Sequence, residues 1–241
     1  MMNHKSGAGC SVPLCPIWFL KKAVMIEQMK PKSEVFNMDC LEYMRSLPDK
    51  HFDLCIADPP YGIGIANNPF RQKHDKKEWD NQIPTEEILN EMQRVSKHCI
   101  IWGGNYFGLP ANKHFIIWDK VQPFDFSSAM CEYAWSNIDK PAKIFRYRVT
   151  TEKNKIHPTQ KPIALYAWIL KNYAIGGGKI FDPFLGSGSS RIASYKLGFD
   201  FVGCEIDKDY FALQQERFDR ECNGIIAKEA DGARVIQQQL F

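Results

Sequence analysis

The sequence of 241 residues contains no closely spaced cysteine pairs, no long apolar runs and no internal repeats. None of its eight cysteines forms a CxxC pair or lies at zinc-like spacing from a histidine, which argues against a structural metal. The apolar stretch at residues 11–20 contains two prolines and is too short to span a membrane. Several cysteines lie in apolar, strand-like runs, so we expect free core thiols, no disulfide framework and a cytoplasmic protein.

The composition is that of a globular protein with a sizeable core, since 44% of residues are hydrophobic and 24% are charged. A net charge of +3 permits binding to nucleic acid without requiring it. The length predicts one domain, and regular patterning begins near residue 33. We therefore expect residues 1–32 to form a poorly ordered extension, residues 33–225 the domain, and residues 226–241 a tail.

The tetrad Asp58, Pro59, Pro60 and Tyr61 directly follows the apolar run at residues 52–57. That run predicts a buried strand, which the proline pair ends abruptly. Ligands of open α/β sheets bind outside the carboxyl ends of the strands, so a carboxylate, a backbone carbonyl and an aromatic ring would reach a pocket there. Taken alone, the tetrad is equally compatible with an ordinary turn, because Asp-Pro and Pro-Pro pairs are common in loops.

A glycine-rich turn lies between a predicted strand at residues 179–182 and a predicted helix at residues 191–197. Gly186 and Gly188 permit a tight turn and close approach of the backbone to a ligand. Glu205 ends the following strand, where a carboxylate can accept hydrogen bonds from both ribose hydroxyls. The third glycine of the dinucleotide fingerprint is replaced by Arg191, so a ligand with adenosine but no pyrophosphate fits this turn better. Asp39 ends an earlier predicted strand, where it can bind an adenine amino group or cap a helix.

Two basic segments are candidates for contact with nucleic acid. Residues 62–80 predict either a substrate-contacting loop or a solvated surface loop. Residues 137–161 interleave cations with aromatic rings, which suits a phosphate backbone but is also compatible with a solvated edge hairpin. The candidate contact residues are Arg71, Lys73, Lys76, Lys143, Arg146, Arg148, Lys153 and Lys155.

Three motifs together resemble the β class of bacterial DNA amino-methyltransferases. Residues 58–61 resemble the Asp-Pro-Pro-Tyr catalytic motif that is typical of adenine-N6 enzymes. Residues 182–189 resemble the cofactor motif Asp-Pro-Phe-x-Gly-Ser-Gly-Thr, with Ser189 in place of Thr, and residues 157–162 match the family's His-Pro-Thr-Gln-Lys-Pro segment. The order of the motifs is also that of the β class, and the resemblance covers roughly residues 33–222.

The resemblance implies an α/β, Rossmann-like methyltransferase fold with a mostly parallel, seven-stranded sheet and helices on both faces, the catalytic half preceding the cofactor half. It implies S-adenosylmethionine as the cofactor, double-stranded DNA as the substrate, and methylation of adenine N6 in a specific sequence. The implied cofactor-binding residues are Asp39, His157, Lys161, Asp182, Phe184, Gly186, Ser187, Gly188, Ser189 and Glu205. Among them, Lys161 would pair with the carboxylate of the cofactor, and the tetrad at residues 58–61 would bind and activate the target base.

The chemistry of the tetrad agrees with this resemblance. An exocyclic amine on adenine is a poor nucleophile because its lone pair is delocalised into the ring. The Asp58 carboxylate and the Pro59 carbonyl can accept hydrogen bonds from the amine and aim its lone pair at a methyl donor. Tyr61 can stack on a base that has left the duplex.

Three alternatives stay open in the sequence. Cytosine-N4 enzymes resemble this chain in every motif but more often have Ser at the position of Asp58, and RNA adenine enzymes more often have Asn there. The third alternative is a catalytically idle nucleic-acid-binding module, whereas a cytosine-C5 enzyme would need a Pro-Cys pair that does not occur here. Recognition of the target would rest on residues 62–80 and 121–155, which is a short region, so we expect a short target site or help from a second subunit. The resemblance is compatible with a homodimer and with a cognate restriction endonuclease.

Overall fold

The computed structural model describes residues 30–64, 82–125, 129–151, 154–230 and 233–238. The chain divides into two compact units, residues 1–30 and residues 31–241, and only Lys30 of the first is described. Almost all of the predicted extension at residues 1–32 therefore lies outside the described part. The same holds for the candidate cations Arg71, Lys73, Lys76 and Lys153. None of the described helices is long and apolar enough to cross a membrane.

In the described part of the chain, strands and α-helices alternate at first, four strands then follow in succession, and alternation resumes before a final pair of strands. The strands are β1 (Ser33–Phe36), β2 (Phe52–Ala57), β3 (Ser96–Trp102), β4 (Phe115–Asp119), β5 (Cys131–Ser136), β6 (Lys143–Arg146), β7 (Lys179–Asp182), β8 (Asp200–Cys204), β9 (Ile225–Ala230) and β10 (Ala233–Gln238). The α-helices are α1 (Cys40–Arg45), α2 (Glu86–Val95), α3 (Ile163–Tyr173), α4 (Ser189–Lys196) and α5 (Lys208–Phe218).

Eight of these strands form one sheet in the order β1-β8-β7-β2-β3-β5-β4-β6. Neighbouring strands are parallel from β1 to β3, β5 is antiparallel to both of its neighbours, and β6 is parallel to β4. The predicted α/β, mostly parallel, Rossmann-like fold is confirmed, with eight strands instead of seven. The additional strand is β6, which has only four residues, one of them half-buried, so its apolar pattern is too weak to predict a strand. The predicted C-terminal tail contains β9 and β10, which pair antiparallel.

Helices cover both faces of the sheet, and β2 shows how the sequence produces this layering. Leu54 and Ile56 pack into a core with residues of α3 and α4, whereas Cys55 and Ala57 pack into a second core with residues of α1 and α2. Side chains of a strand alternate between the two faces, so a strand that is covered on both sides reads as a continuous apolar run. This explains why β2 was predicted from its composition alone.

The chain changes direction between the neighbouring strands β7 and β2. From β7 it passes through α4 to β8 on one side, and from β2 it passes through α2 to β3 on the other. In open α/β sheets, ligands bind outside the carboxyl ends of the strands at such a switch point. Asp182 ends β7 and Asp58 directly follows β2, so the two halves of the predicted site meet there.

Candidate active site

A cavity of about 720 Å³ lies at this switch point. Its volume is within the range of roughly 300–1000 Å³ that is usual for sites of small ligands. Its lining includes the whole tetrad Asp58, Pro59, Pro60 and Tyr61, together with the cofactor candidates Asp39, His157, Lys161, Phe184, Gly186, Ser187, Ser189 and Glu205. The structure thus places the predicted catalytic residues and most of the predicted cofactor residues around one cavity.

The Asp58 carboxylate is held through one of its two oxygen atoms. Oδ1 accepts a hydrogen bond from Tyr61 Oη at 2.9 Å and another from the Lys161 ammonium. Within the described part of the chain, no donor binds Oδ2. Burial raises the pKa of Asp58 above its ordinary value, and the positive charge of Lys161 opposes that effect only in part. Asp58 lines the cavity, and its Oδ2 keeps the capacity to accept a hydrogen bond.

Lys161 lines the cavity and forms ion pairs with two carboxylates there, while its predicted contact with the cofactor carboxylate stays a prediction. Its side chain is almost fully buried, and its Nζ contacts the Asp58 carboxylate and lies 3.0 Å from Glu132 Oε2. A buried ammonium requires such compensation, which the two carboxylates provide. Although burial lowers the pKa of Lys161, Asp58 and Glu132 raise it above the ordinary value. The ammonium is therefore directed at the substrate end of the cavity.

Glu132, a residue that the sequence analysis missed, completes this group of charges. It lies on β5 and lines the cavity, and its Oε1 is 2.7 Å from the ammonium of Lys120. Burial raises the pKa of Glu132, but the Lys161 and Lys120 ammonium groups outweigh it and hold that pKa down at about 2. The sequence signal that could have identified Glu132 is its position as the lone acidic residue in a mostly apolar strand.

The Tyr61 ring is fixed by its aromatic and glycine neighbours. It stacks on Tyr106 with the ring centroids 5.2 Å apart and the planes 19° from parallel. Gly103 has a φ of +69°, and a Cβ there would lie only 2.3 Å from the Tyr61 ring, so a glycine is needed at this position. Burial and the neighbouring Asp58 raise the pKa of Tyr61 well above its ordinary value. The phenol therefore stays protonated and donates its hydrogen bond.

Asp182 binds the glycine-rich turn and is not among the residues that line the cavity, so its role in cofactor binding stays a prediction. Its carboxylate accepts hydrogen bonds from the amide of Phe184 at 3.0 Å and from the hydroxyl of Ser190. Burial raises the pKa of Asp182 to about 7 despite these bonds. These hydrogen bonds connect the end of β7 to the turn and to the start of α4.

The two glycines of the turn differ in what they face. Gly186 lines the cavity with a φ of +50°, and a Cβ there would lie 3.9 Å from the His157 ring. Gly188 has a φ of +72° but is absent from the lining, and a Cβ there would meet the Gln214 side chain at 3.2 Å. The predicted tight turn is present, and α5 packs against the side of Gly188 where a Cβ would lie. The approach of the Gly188 backbone to a ligand stays a prediction.

The carboxylates at the ends of β8 and β1 line the cofactor end of the cavity. Glu205 follows β8, and its two oxygens accept from the amides of Gly186 at 2.7 Å and Asp207 at 2.9 Å. Asp39 caps α1 by accepting from the amide of Leu41 at 2.7 Å, and it also lines the cavity. The helix cap that the sequence predicts for Asp39 is observed. Its place in the cavity lining is also compatible with the predicted binding of an adenine amino group.

A serine links the predicted cofactor turn to the His-Pro-Thr-Gln-Lys-Pro segment. Ser189 Oγ donates a hydrogen bond of 2.7 Å to the carbonyl oxygen of Lys161, and Arg217 Nη1 lies 2.8 Å from the same hydroxyl. In the segment itself, the His157 ring packs against Tyr210 with a centroid distance of 4.4 Å. Ser189 stands where the cofactor motif usually has threonine, and its hydroxyl thus fixes the backbone of Lys161. The ammonium of the same lysine contacts Asp58.

The described basic candidates lie away from the cavity lining. Lys143 and Arg146 are exposed on β6, the outermost strand of the sheet, and Arg148 follows them, also exposed. Arg146 Nε lies 3.1 Å from the Asp119 carboxylate. Lys155 is half-buried. The structure therefore groups three of the candidate cations on or beside one sheet edge.

Comparison with known proteins shows what this chain is similar to. Residues 101–216 match the sequence profile of the family described as DNA methylase. The chain is 24% identical to the type II methyltransferase M2.DpnII of Streptococcus pneumoniae, covering 80% of this chain and 91% of that protein. It is 25% identical to the type II methyltransferase M2.MboI of Moraxella bovis, covering 76% of this chain and 86% of that protein.

A solved structure extends the comparison to three dimensions. The crystal structure of an M1.HpyAVI–SAM complex has a TM-score of 0.54 with this chain at 20% identity, covering 76% of this chain and 98% of that one. At that level of identity, the similarity establishes the fold. The profile and the two relatives lead to one conclusion about the sequence: the chain is similar to DNA methylases, and the match to the profile includes the glycine-rich turn after β7.

Proposed function

We propose that this protein transfers a methyl group from S-adenosylmethionine to the exocyclic N6 amine of adenine in a specific sequence of double-stranded DNA. The observation that carries the proposal is the single cavity whose lining includes both the tetrad at residues 58–61 and the glycine-rich turn after β7. Methyl transfer requires the donor and the acceptor to be held next to each other, and that cavity can contain both.

The cofactor end of the cavity suits an adenosine that carries no pyrophosphate. Glu205 lies at the end of β8, where its carboxylate can accept hydrogen bonds from ribose hydroxyls. Asp39 offers an acceptor for the adenine amino group, and Phe184 offers an apolar face. Gly186 leaves space beside His157 that a larger side chain would fill. When bound, S-adenosylmethionine would supply an electrophilic methyl group.

At the substrate end, the tetrad would hold and activate the target amine. Asp58 Oδ2 and the Pro59 carbonyl would accept the two hydrogen bonds of the amine, which draws the nitrogen toward sp³ geometry. The Tyr61 ring would stack on the base, and the base would have to leave the duplex to reach a cavity this deep. Asp58, with its pKa raised by burial, is also placed to receive the proton that the methylated nitrogen releases.

Methylation mapping tests this proposal and separates adenine from cytosine as the target base. We expect DNA from a methylation-free host that expresses this chain to carry N6-methyladenine in one short sequence motif, as base-resolved sequencing would report. The same host expressing the Asp58→Asn variant is the control and should carry none. Methylation at cytosine N4 would replace adenine as the proposed target, and unmethylated DNA that the protein nevertheless binds would favour the idle binding module.

We further propose that the edge of the sheet at β6 binds the DNA backbone. Lys143, Arg146 and Arg148 are exposed there, and such cations bind phosphates independently of sequence. Contact of Arg71, Lys73, Lys76, Lys153 and Lys155 with DNA stays a prediction from the sequence. Recognition would rest on few residues, so the target site would be short or a second copy of the chain would contribute. A cognate restriction endonuclease would fit with the type II relatives.

Replacing Lys143, Arg146 and Arg148 together by Gln should weaken binding to DNA of any sequence by roughly 10- to 100-fold at moderate salt. Each lost phosphate contact should lower the slope of log Kd against log salt concentration by about 0.9. Fluorescence anisotropy with a short labelled duplex at several salt concentrations measures both quantities. The matched control replaces three exposed lysines of other elements, Lys97, Lys171 and Lys196, by Gln. An equal loss in both triple variants would show that net charge alone is responsible.

A further inference from the structure

Two carboxylates and two ammonium groups form a compact cluster at the substrate end of the cavity. The Lys161 ammonium contacts Asp58 Oδ1 and Glu132 Oε2, and the other oxygen of Glu132 contacts the Lys120 ammonium. The formal charges of these four side chains sum to zero. All four residues line the cavity, and the Lys161 side chain is only 2% exposed. The cluster therefore replaces solvent around a charge that burial would otherwise disfavour.

Within this cluster, Asp58 and Glu132 compete for the same ammonium. Lys161 Nζ has three hydrogens to donate, and the structure directs them toward Asp58, Glu132 and, at 3.1 Å, Tyr61 Oη. Without the negative charge of Glu132, Lys161 would have Asp58 as its only anionic partner in the cluster. Such an undivided ion pair would withdraw electron density from the carboxylate that must accept the substrate amine.

We propose that Glu132 is a positioning residue that shares the Lys161 ammonium with Asp58 and so preserves the capacity of Asp58 to accept hydrogen bonds from the target amine. This inference rests on the proposed function, because it assigns Glu132 a part in the same methyl transfer. Lys120 holds Glu132 from its other side and so fixes the distance between the two carboxylates.

The arrangement predicts opposite effects for the two partners of Asp58. The charged and titratable groups that face Asp58 are Tyr61 from its own turn, Glu132 from β5, Lys161 from the segment before α3, Tyr166 from α3 and Asp182 from β7. Burial raises the pKa of Asp58, Lys161 lowers it and Glu132 raises it. Removing the charge of Glu132 should therefore lower the pKa of Asp58, and removing that of Lys161 should raise it.

The test measures the titration of Asp58 in the free protein, with neither cofactor nor DNA. We expect the Glu132→Gln variant to lower the pKa of Asp58 by about one unit. NMR on ¹³C-labelled protein follows this titration through the chemical shift of the Asp58 carboxyl carbon. The Lys161→Met variant should raise that pKa by at least as much. The control is Glu91→Gln, which removes another partly buried, ion-paired carboxylate outside the cavity and should leave the titration unchanged.

Kinetics then connects the titration to methyl transfer. With genomic DNA from a methylation-free host as the substrate, Glu132→Gln should lower kcat about tenfold, leave KM for DNA within twofold and move the acidic limb of the kcat profile to lower pH. A purely structural role would lower kcat equally at every pH, and that result would overturn the inference. An unchanged or raised pKa of Asp58 in Glu132→Gln would overturn it as well.

The two proposals can fail separately. If Asp58 titrates as expected but the wild-type protein methylates no DNA, the charge sharing stands and the proposed function is wrong. If the wild-type protein methylates DNA but neither the titration nor the pH profile moves, the function stands and the role of Glu132 is wrong. Should Glu132→Gln not fold, the Lys161→Met titration decides, because an unchanged pKa there would remove the coupling on which the inference depends.

Discussion

The Asp58→Ala variant is expected to lose about 1000-fold in kcat for methyl transfer while the Kd for S-adenosylmethionine stays within a few fold. Asp58 lies at the substrate end of the cavity, so its acceptor oxygen acts on the amine as the nitrogen attacks and makes little difference to the cofactor. Single-turnover assays with labelled cofactor measure kcat, and calorimetric titration of the free protein measures the Kd. A variant with near-normal turnover would show that another group activates the amine.

This experiment needs a second substitution, because Asp58 also balances a buried charge. Removing its carboxylate leaves the Lys161 ammonium with Glu132 as its one acidic partner in the cluster, which can lower stability independently of catalysis. Asp58→Asn keeps the shape of the side chain and should lose activity to a similar extent. The matched control is Asp53→Asn, at the opposite end of β2, where the carboxylate pairs with Lys97. A melting temperature for each variant separates loss of activity from loss of folded protein.

The second large effect is expected at Gly186, where Val should weaken cofactor binding by at least 100-fold. A branched side chain there would enter the cavity toward His157 and close the space beside the predicted ribose contact, Glu205. The same substitution at Gly188 should chiefly lower the melting temperature, because its Cβ would press on the Gln214 side chain behind the cavity. Calorimetric titration and thermal unfolding of both variants distinguish the two effects.

The left-handed backbone of both glycines adds strain to either substitution, so a control for strain alone is required. Gly198 provides it, since its φ is +79° and a Cβ there would meet nothing within 4 Å. Gly198→Val should lower stability modestly and leave the Kd for the cofactor unchanged. If Gly188→Val weakened cofactor binding as much as Gly186→Val, the assignment of the two faces of the turn would be wrong.

The parts of the fold that could be predicted are those with strong local signals. β2 was predicted because it is buried on both faces and ends at a proline pair. The turn after β7 was predicted because only glycine readily adopts the left-handed backbone that Gly186 and Gly188 have. β6 was missed because a four-residue edge strand with exposed cations carries almost no apolar periodicity.

The charge cluster could not be predicted, because its members come from distant parts of the chain. Lys161 and Asp58 are 103 residues apart, and only the crossing of the strands between them brings the ammonium to the carboxylate. The motif at residues 157–162 predicts the cavity that Lys161 lines, but it gives no indication of the ion pairs with Asp58 and Glu132. Glu132 belongs to no motif that the sequence analysis used, and its role depends on which face of β5 it occupies. Pairings of this kind are decided by packing, which local sequence patterns do not encode.

The antiparallel end of the sheet has a consequence for engineering. Lys120 directly follows β4, Glu132 lies on β5, and the exposed cations of β6 lie alongside, with Arg146 in register with Asp119. An exchange of residues 115–148 between relatives, made to graft a new target sequence, would therefore carry two members of the Asp58 charge cluster with it. Hybrids built in this way should regain full turnover only when the donor segment brings a matching acid and base at these two positions.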